Sequence, residues 1–265
     1  MRDELLIDDS FEPNDHVINA GRCGCKPRDF SHVPVGALPF ASAAKFPIIP
    51  RSEWPARIQQ MQQEKSRLSD LISLERIPCL NQASTNFCHA NSPALAIMAL
   101  RAVQGQSFVL LSPASIAGPV TDFRNEGAFI HDDLRQITQV GCASQDFVPA
   151  NQIDCRGFKD GWEKNARRHR VTEWWDLGQR DGSMFDRVMT LLLSRVPICV
   201  AYNWWSHAVT LIDPVELSPG AFGVRFRNSW GDAWPNPGAD GYALLPEGKG
   251  TPDEAYAPRS ITVTP

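Results

Sequence analysis

The sequence predicts an α+β fold, with helices in its first part and strands in its last, and three observations carry that prediction. Apolar positions recur at helical spacing in several segments between about residues 52 and 140. Short apolar runs near 197 to 203, 206 to 213, 222 to 228, 241 to 245 and 259 to 264 read as strands of one sheet. The side chains able to do chemistry divide between the two parts, which places a site where the halves meet.

Taken in order, residues 1 to 50 form an arm rich in Pro, Gly and turn residues with weak periodicity. Such an arm either wraps the rest of the fold or docks onto another chain. Its lack of regular apolar spacing favours the docking role, in a larger assembly, over a compact unit packed on this chain. Residues 51 to 76 form a linker helix with Pro55 in its first turn and a stripe of Ile58, Met61, Leu68, Leu71 and Ile72, the pattern of a surface helix. The remainder, 77 to 265, divides into a helical half to about 170 and a β half from about 171. In the helical half, a helix follows Cys88, a second short helix starts near Leu111 to Ile116, and a third runs from Phe129 to Val140 and stops at Gly141. The basic block from Trp162 to Arg170, with Lys164, Arg167, Arg168, His169 and Arg170, reads as a solvated helix face, a docking patch for an acidic partner being the alternative. Trp174 and Trp175 begin a strand, Ser183 to Ser194 is an amphipathic helix, and Cys199 is a core strand residue.

With 265 residues and 43% hydrophobic content the chain can bury a sizeable core. A net charge of −4 and a pI near 5.9 give no footprint for nucleic acid or an anionic membrane as partner. The acidic start, Met1 to Asp9, lacks a secretory apolar stretch, and Arg101 and Arg195 interrupt the best apolar runs, so a soluble intracellular protein is expected. Seven cysteines, an odd number without a dense framework, fit a reducing compartment. Cys23-Gly24-Cys25 could be half of a metal site with Cys79 or a histidine. No second paired motif accompanies it, so neither metal nor cofactor is expected.

The chemistry lies in three segments. Gln82 and Cys88 sit in a polar, turn-forming stretch leading into an apolar helix, so Cys88 falls at that helix's first turn. The positive helix end and its free N–H groups favour a thiolate there and predict the most reactive of the seven thiols. A free Cys is also commonly a small buried hydrophobe, and the other segments decide between the two readings. Gln82 can aim its amide at an oxygen that becomes negative when the thiolate attacks a carbonyl. His207 opens a strand at a break in the apolar pattern, where an imidazole can face a cleft. Asn228, in Asn228-Ser229-Trp230-Gly231, can accept a hydrogen bond from that imidazole and fix its tautomer, with Trp230 keeping water off the bond.

The order Gln82, Cys88, His207, Asn228, together with Asn228 through Trp234, Gly241 and Tyr242, resembles the papain-like cysteine peptidases over roughly Ile77 to the C-terminus. The resemblance implies a two-subdomain fold, helical left half and antiparallel right half with the cleft between. It implies Cys88 as nucleophile, His207 as base, Asn228 as its orienting group, Gln82 as oxyanion donor, Trp230 as shield and Trp234 lining the leaving-group side. In that family a glycine-rich segment forms one wall of the cleft; here only Gly127 remains. Two departures stand out: Thr85 replaces a cysteine three residues before the nucleophile, and His89 replaces the aromatic residue after it, setting a titratable group beside the thiol. The expected function is hydrolysis of peptide or protein substrates through an acyl-enzyme. The alternative is a structural or assembly protein of the same fold, such as a phage virion component.

Overall fold

Helix α3 (Cys88–Val103) is the axis of the molecule, and every residue from Cys88 to Arg101 is buried. A helix apolar on all sides belongs in the centre of a fold, and the run Ala94 to Leu100 is rich in strong helix formers. Around it pack α2 (Leu68–Leu74), α4 (Ala114–Val120) and α5 (Ile130–Gln139), the last through Ile130, Leu134 and Ile137. This computed structural model describes residues 4–11, 21–178 and 181–262.

Strands β1 (Ala41–Ala43), β2 (Val171–Asp176), β3 (Ile198–Tyr202), β4 (His207–Ser218), β5 (Ala221–Arg227), β6 (Tyr242–Pro246) and β7 (Glu254–Ile261) form one sheet in the order β1-β2-β7-β3-β4-β5-β6. All neighbours are antiparallel except β1 and β2. One face lies on α3, and the other is covered by α1 (Trp54–Glu64) and α7 (Met184–Leu193). Cys199 and Ala201 of β3 therefore join the α3 core, whereas Ile198, Val200 and Tyr202 join the second core with Trp54, Phe185 and Leu192. A strand covered on both faces needs no polar alternation, which is why β3 reads as one apolar run.

Several elements differ from expectation. The linker helix breaks after Glu64: Lys65 adopts a left-handed conformation (φ 50°), and Arg67 restarts the chain as α2 by pairing with Asp70. Strand β4 continues past a register shift through Pro214 to Ser218, proline being tolerated at such an irregularity. Strand β2 starts at Val171, before the tryptophans, and β7 at Glu254, ahead of the expected 259. In the basic block Lys164, Arg167 and Arg168 are exposed, but His169 is buried and bonds through Nδ1 to the Cys142 carbonyl at 2.9 Å.

The described parts of the N-terminal arm are woven into this frame. Leu5 to Ile7 run along the outer edge of β6, bonding to Leu244, and β1 closes the opposite edge, so the arm covers both sheet margins. Between them Arg28 is the anchor. It is 6% exposed, its guanidinium meets Asp176 at 2.9 Å and the Tyr256 hydroxyl at 2.6 Å, and its N–H donates to Glu254 at 2.8 Å. Among the described residues no helix is long and apolar enough to cross a membrane.

Candidate active site

Sheet order decides which side chains meet. His207 opens β4 and Asn228 follows β5, its antiparallel neighbour, so both lie at one end of the sheet. The segment before α3 is stitched to that end: Gln82 N–H donates to the Ser229 carbonyl, Gly231 N–H to the Leu80 carbonyl, and Asn81 bridges Trp230. Gln82 is thereby carried from the helical half to the β half.

Cys88 is the first residue of α3, at the positive helix end that the sequence predicts. Its sulfur receives N–H groups from Gly24 (3.2 Å), from Ala208, the residue after His207, and from His89. His207 Nε2 lies 2.8 Å from Asn228 Oδ1. The same oxygen accepts the Ser229 N–H at 2.7 Å, so it cannot donate and Nε2 must carry the imidazole proton. The lone pair then sits on Nδ1, which is buried and has no hydrogen-bond partner. The ring is held between Trp205 (4.9 Å between centroids) and Trp230 (4.7 Å), and Trp234 supports Trp230 at 5.6 Å. The His89 side chain pairs with α5 instead: its Nδ1 meets Asp133 at 2.8 Å with both side chains sealed from solvent. Thr85 bonds through its hydroxyl to the Gln82 carbonyl, tightening the turn before the nucleophile helix.

The space above these groups is filled by the arm itself. Gln82 Nε2 donates to the Arg22 carbonyl at 2.8 Å as well as to Thr85 O. Gly24 N–H points at the Cys88 sulfur, Cys25 N–H bonds the Ser206 carbonyl on the β side, and Gly24 and Lys26 pair with Ala128 on the helical side. Residues 21–26 thus run between the two halves. Glycine is required for so close a passage: a Cβ on Gly24 would stand 2.1 Å from the Asn86 carbonyl oxygen, and one on Gly21 would stand 2.3 Å from Trp230 Nε1.

This cover reverses the expected state of the thiol. Cys88 has no exposed surface, and burial pushes its pKa up to about 11, outweighing the three N–H groups that favour the thiolate. Burial likewise pulls His207 down to about 4, against the opposing bond to Asn228. The described pair is a neutral thiol and neutral imidazole near pH 7. All seven cysteines are free, Cys155 is exposed, and among the described residues no group of three or more His, Cys, Asp or Glu is arranged to hold a metal.

Sequence reasoning missed two supports and one occupant. Ser229 fixes Gln82 by donating its hydroxyl to Oε1 at 2.7 Å, although it stands inside the quoted Asn228 motif. Asp133 lies beside Asp132 in the first turn of α5, and nothing in its local sequence points to His89. Nothing in residues 21–26 announces where they lie.

No protein-family model matches the chain, and comparison with curated proteins gives no match. Solved structures do. Xylellain, a cysteine protease from Xylella fastidiosa, is similar at 21% identity and TM-score 0.54, over 71% of this chain and 84% of that one. Digestive procathepsin L 3 from Tenebrio molitor larval midgut gives 15% and 0.57 over 92% and 77%. A structure concerned with the mite allergens Blo t 1 and Der p 1 gives 15% and 0.57 over 98% and 86%. The chain therefore has the papain-like cysteine protease fold, with a helical and a mainly antiparallel half as its sequence predicts.

Proposed function

We propose that this chain is a cysteine peptidase kept closed by its own residues 21–26. The observation that supports this best is the arm's main chain: its Arg22 carbonyl sits on the Gln82 amide and its Gly24 N–H on the Cys88 sulfur, the places a substrate backbone would take. Once the arm withdraws, Cys88 passes its proton to His207 Nδ1 and attacks a peptide carbonyl, Gln82 Nε2 donates to the developing oxyanion, and His207 returns the proton to the leaving amine. Water then cleaves the thioester. Asn228 keeps the imidazole proton on Nε2 throughout.

The arm is not itself a productive substrate. Its earlier residue, Gly21, lies against Trp230, toward the leaving-group side, and its later residues, Gly24 to Lys26, lie against Ala128. A peptide in productive register needs its acyl side on the Ala128 wall and its amine side toward the tryptophans, so the arm runs the other way.

The test is hydrolysis of a fluorogenic peptide library under reducing conditions by wild type, Gly24→Ala and Gly24→Ala/Cys88→Ala. A Cβ at position 24 collides with backbone and forces the arm from the cleft without altering the catalytic side chains. The single variant should cleave at least about tenfold faster than wild type, and the double variant not at all. A folded Gly24→Ala protein that cleaves nothing in the library refutes the proposal.

A further inference from the structure

Among the described residues the Cys23-Gly24-Cys25 motif joins no group able to hold a metal, yet it brackets Gly24, whose N–H reaches the nucleophile. Gly24 N lies 3.2 Å from the Cys88 sulfur, and ordinary covalent dimensions put the Cys23 Cα within about 6 Å of that sulfur. The two Cα atoms are then no more than about 8 Å apart, against the 4.4 to 6.8 Å (roughly) that a disulfide spans, so a small slide of the arm closes the gap. The two thiols of the motif are unequal. Cys25 is buried and pinned by its N–H bond to Ser206 and its bridge to Ala128. Cys23 is half-buried, and among the described residues its sulfur bonds only weakly, to the Gly21 carbonyl at 4.0 Å. Of these two it is the thiol that a disulfide in solution reaches first.

We propose that Cys23 and Cys88 form a redox latch, a disulfide that fastens the arm in the cleft when a low-molecular-weight disulfide such as oxidised glutathione is available. Cys23 gives up its proton and attacks one sulfur of oxidised glutathione, releasing one glutathione and leaving a mixed disulfide. Cys88, its proton taken by the unpartnered Nδ1 of His207, attacks the Cys23 sulfur, and the second glutathione leaves as a thiolate and collects that proton. Two protein thiols are oxidised and one oxidised glutathione is reduced to two glutathiones. A dithiol reductant returns Cys23 and Cys88 to thiols and is itself oxidised to a cyclic disulfide. The proximity of the motif to the nucleophile also registers electrostatically: after burial, Cys88 is the next cause that raises the pKa of Cys23, and of Cys25 as well. The consequence reaches past a closed cleft, since the same arm becomes a reversible cover in a reducing medium and a covalent one in an oxidising medium.

Because the latch needs only the two sulfurs to meet, disulfide mapping decides it whether or not the protein cuts peptides. The full chain is equilibrated in mixtures of reduced and oxidised glutathione, trapped with N-ethylmaleimide in acid, digested and mapped by mass spectrometry. A peptide joining Cys23 to Cys88 should exceed every other Cys88 adduct by about tenfold, persist in Cys25→Ser, vanish in Cys23→Ser and disappear with dithiothreitol. A Cys23–Cys25 or Cys25–Cys88 link as the main product overturns the proposal. So does Cys88 staying free while Cys23 is fully glutathionylated.

Discussion

The buried thiol of Cys88 should alkylate far more slowly than the exposed Cys155, and displacing the arm should reverse this. The perturbation is Gly24→Ala, whose new Cβ would stand 2.1 Å from the Asn86 carbonyl oxygen and cannot be accommodated in place. In the closed state burial raises the Cys88 pKa from 9.0 to about 11. At pH 7 the thiolate fraction falls from about 1 in 100 to about 1 in 10,000, a cost of about 3 kcal/mol for the charged form. Since the thiolate is the reacting species, Cys88 should react about 100-fold more slowly than an ordinary thiol, before any loss from having no exposed surface. Gly24→Ala removes one N–H donor from the sulfur but admits water, and burial is the larger of the two influences, so the rate should rise by about 100-fold. The assay is a short iodoacetamide pulse at pH 7 followed by peptide mapping, with exposed Cys155 as the internal clock. Wild-type Cys88 labelling as fast as Cys155, or a Gly24→Ala rate equal to wild type, would refute the assignment of the arm as the cause.

Asn228→Ala removes the oxygen that holds His207 Nε2, so hydrolysis by an arm-displaced enzyme should fall by about 100-fold in kcat with little change in KM; a drop in KM affinity alone would contradict the tautomer role. Glu254 is 1% exposed, and its pKa is raised by burial from 4.5 to about 7, against the Arg28 N–H and Tyr256 hydroxyl bonds. A folded-state value above the unfolded one means the folded protein holds the proton more tightly, so this stability is fully present below pH 4.5 and is lost as pH rises through 7, by about 3 kcal/mol. Urea unfolding at pH 4.5, 6 and 8 should show that decline in wild type and a flatter profile in Glu254→Gln; parallel profiles would exclude Glu254 as the titrating group.

The candidate site residues could be picked out because each sits in a local pattern that survives without the fold. Cys88 follows a polar turn and starts an apolar run, which fixes it at a helix end; His207 and Asn228 stand at breaks between strands, where polar side chains are affordable. The helices and strands followed from the same periodicities, with errors at their ends where long-range pairing extends a strand beyond its apolar run, as β4 does past Pro214. What the sequence could not express was the meeting of segments far apart in the chain. Asp133 seals His89, Ser229 holds Gln82, and Arg22 to Lys26 lie across Cys88, each through contacts set by sheet order and by the stitching of Leu80–Gln82 to Ser229–Gly231. Local spacing therefore determined which groups are present, and tertiary structure decided their protonation. A helix end stabilises a thiolate within one turn, but desolvation depends on everything that covers the sulfur, and here the covering residues come from an arm some sixty positions away, with Gly24 and Cys88 separated by 64 in the chain.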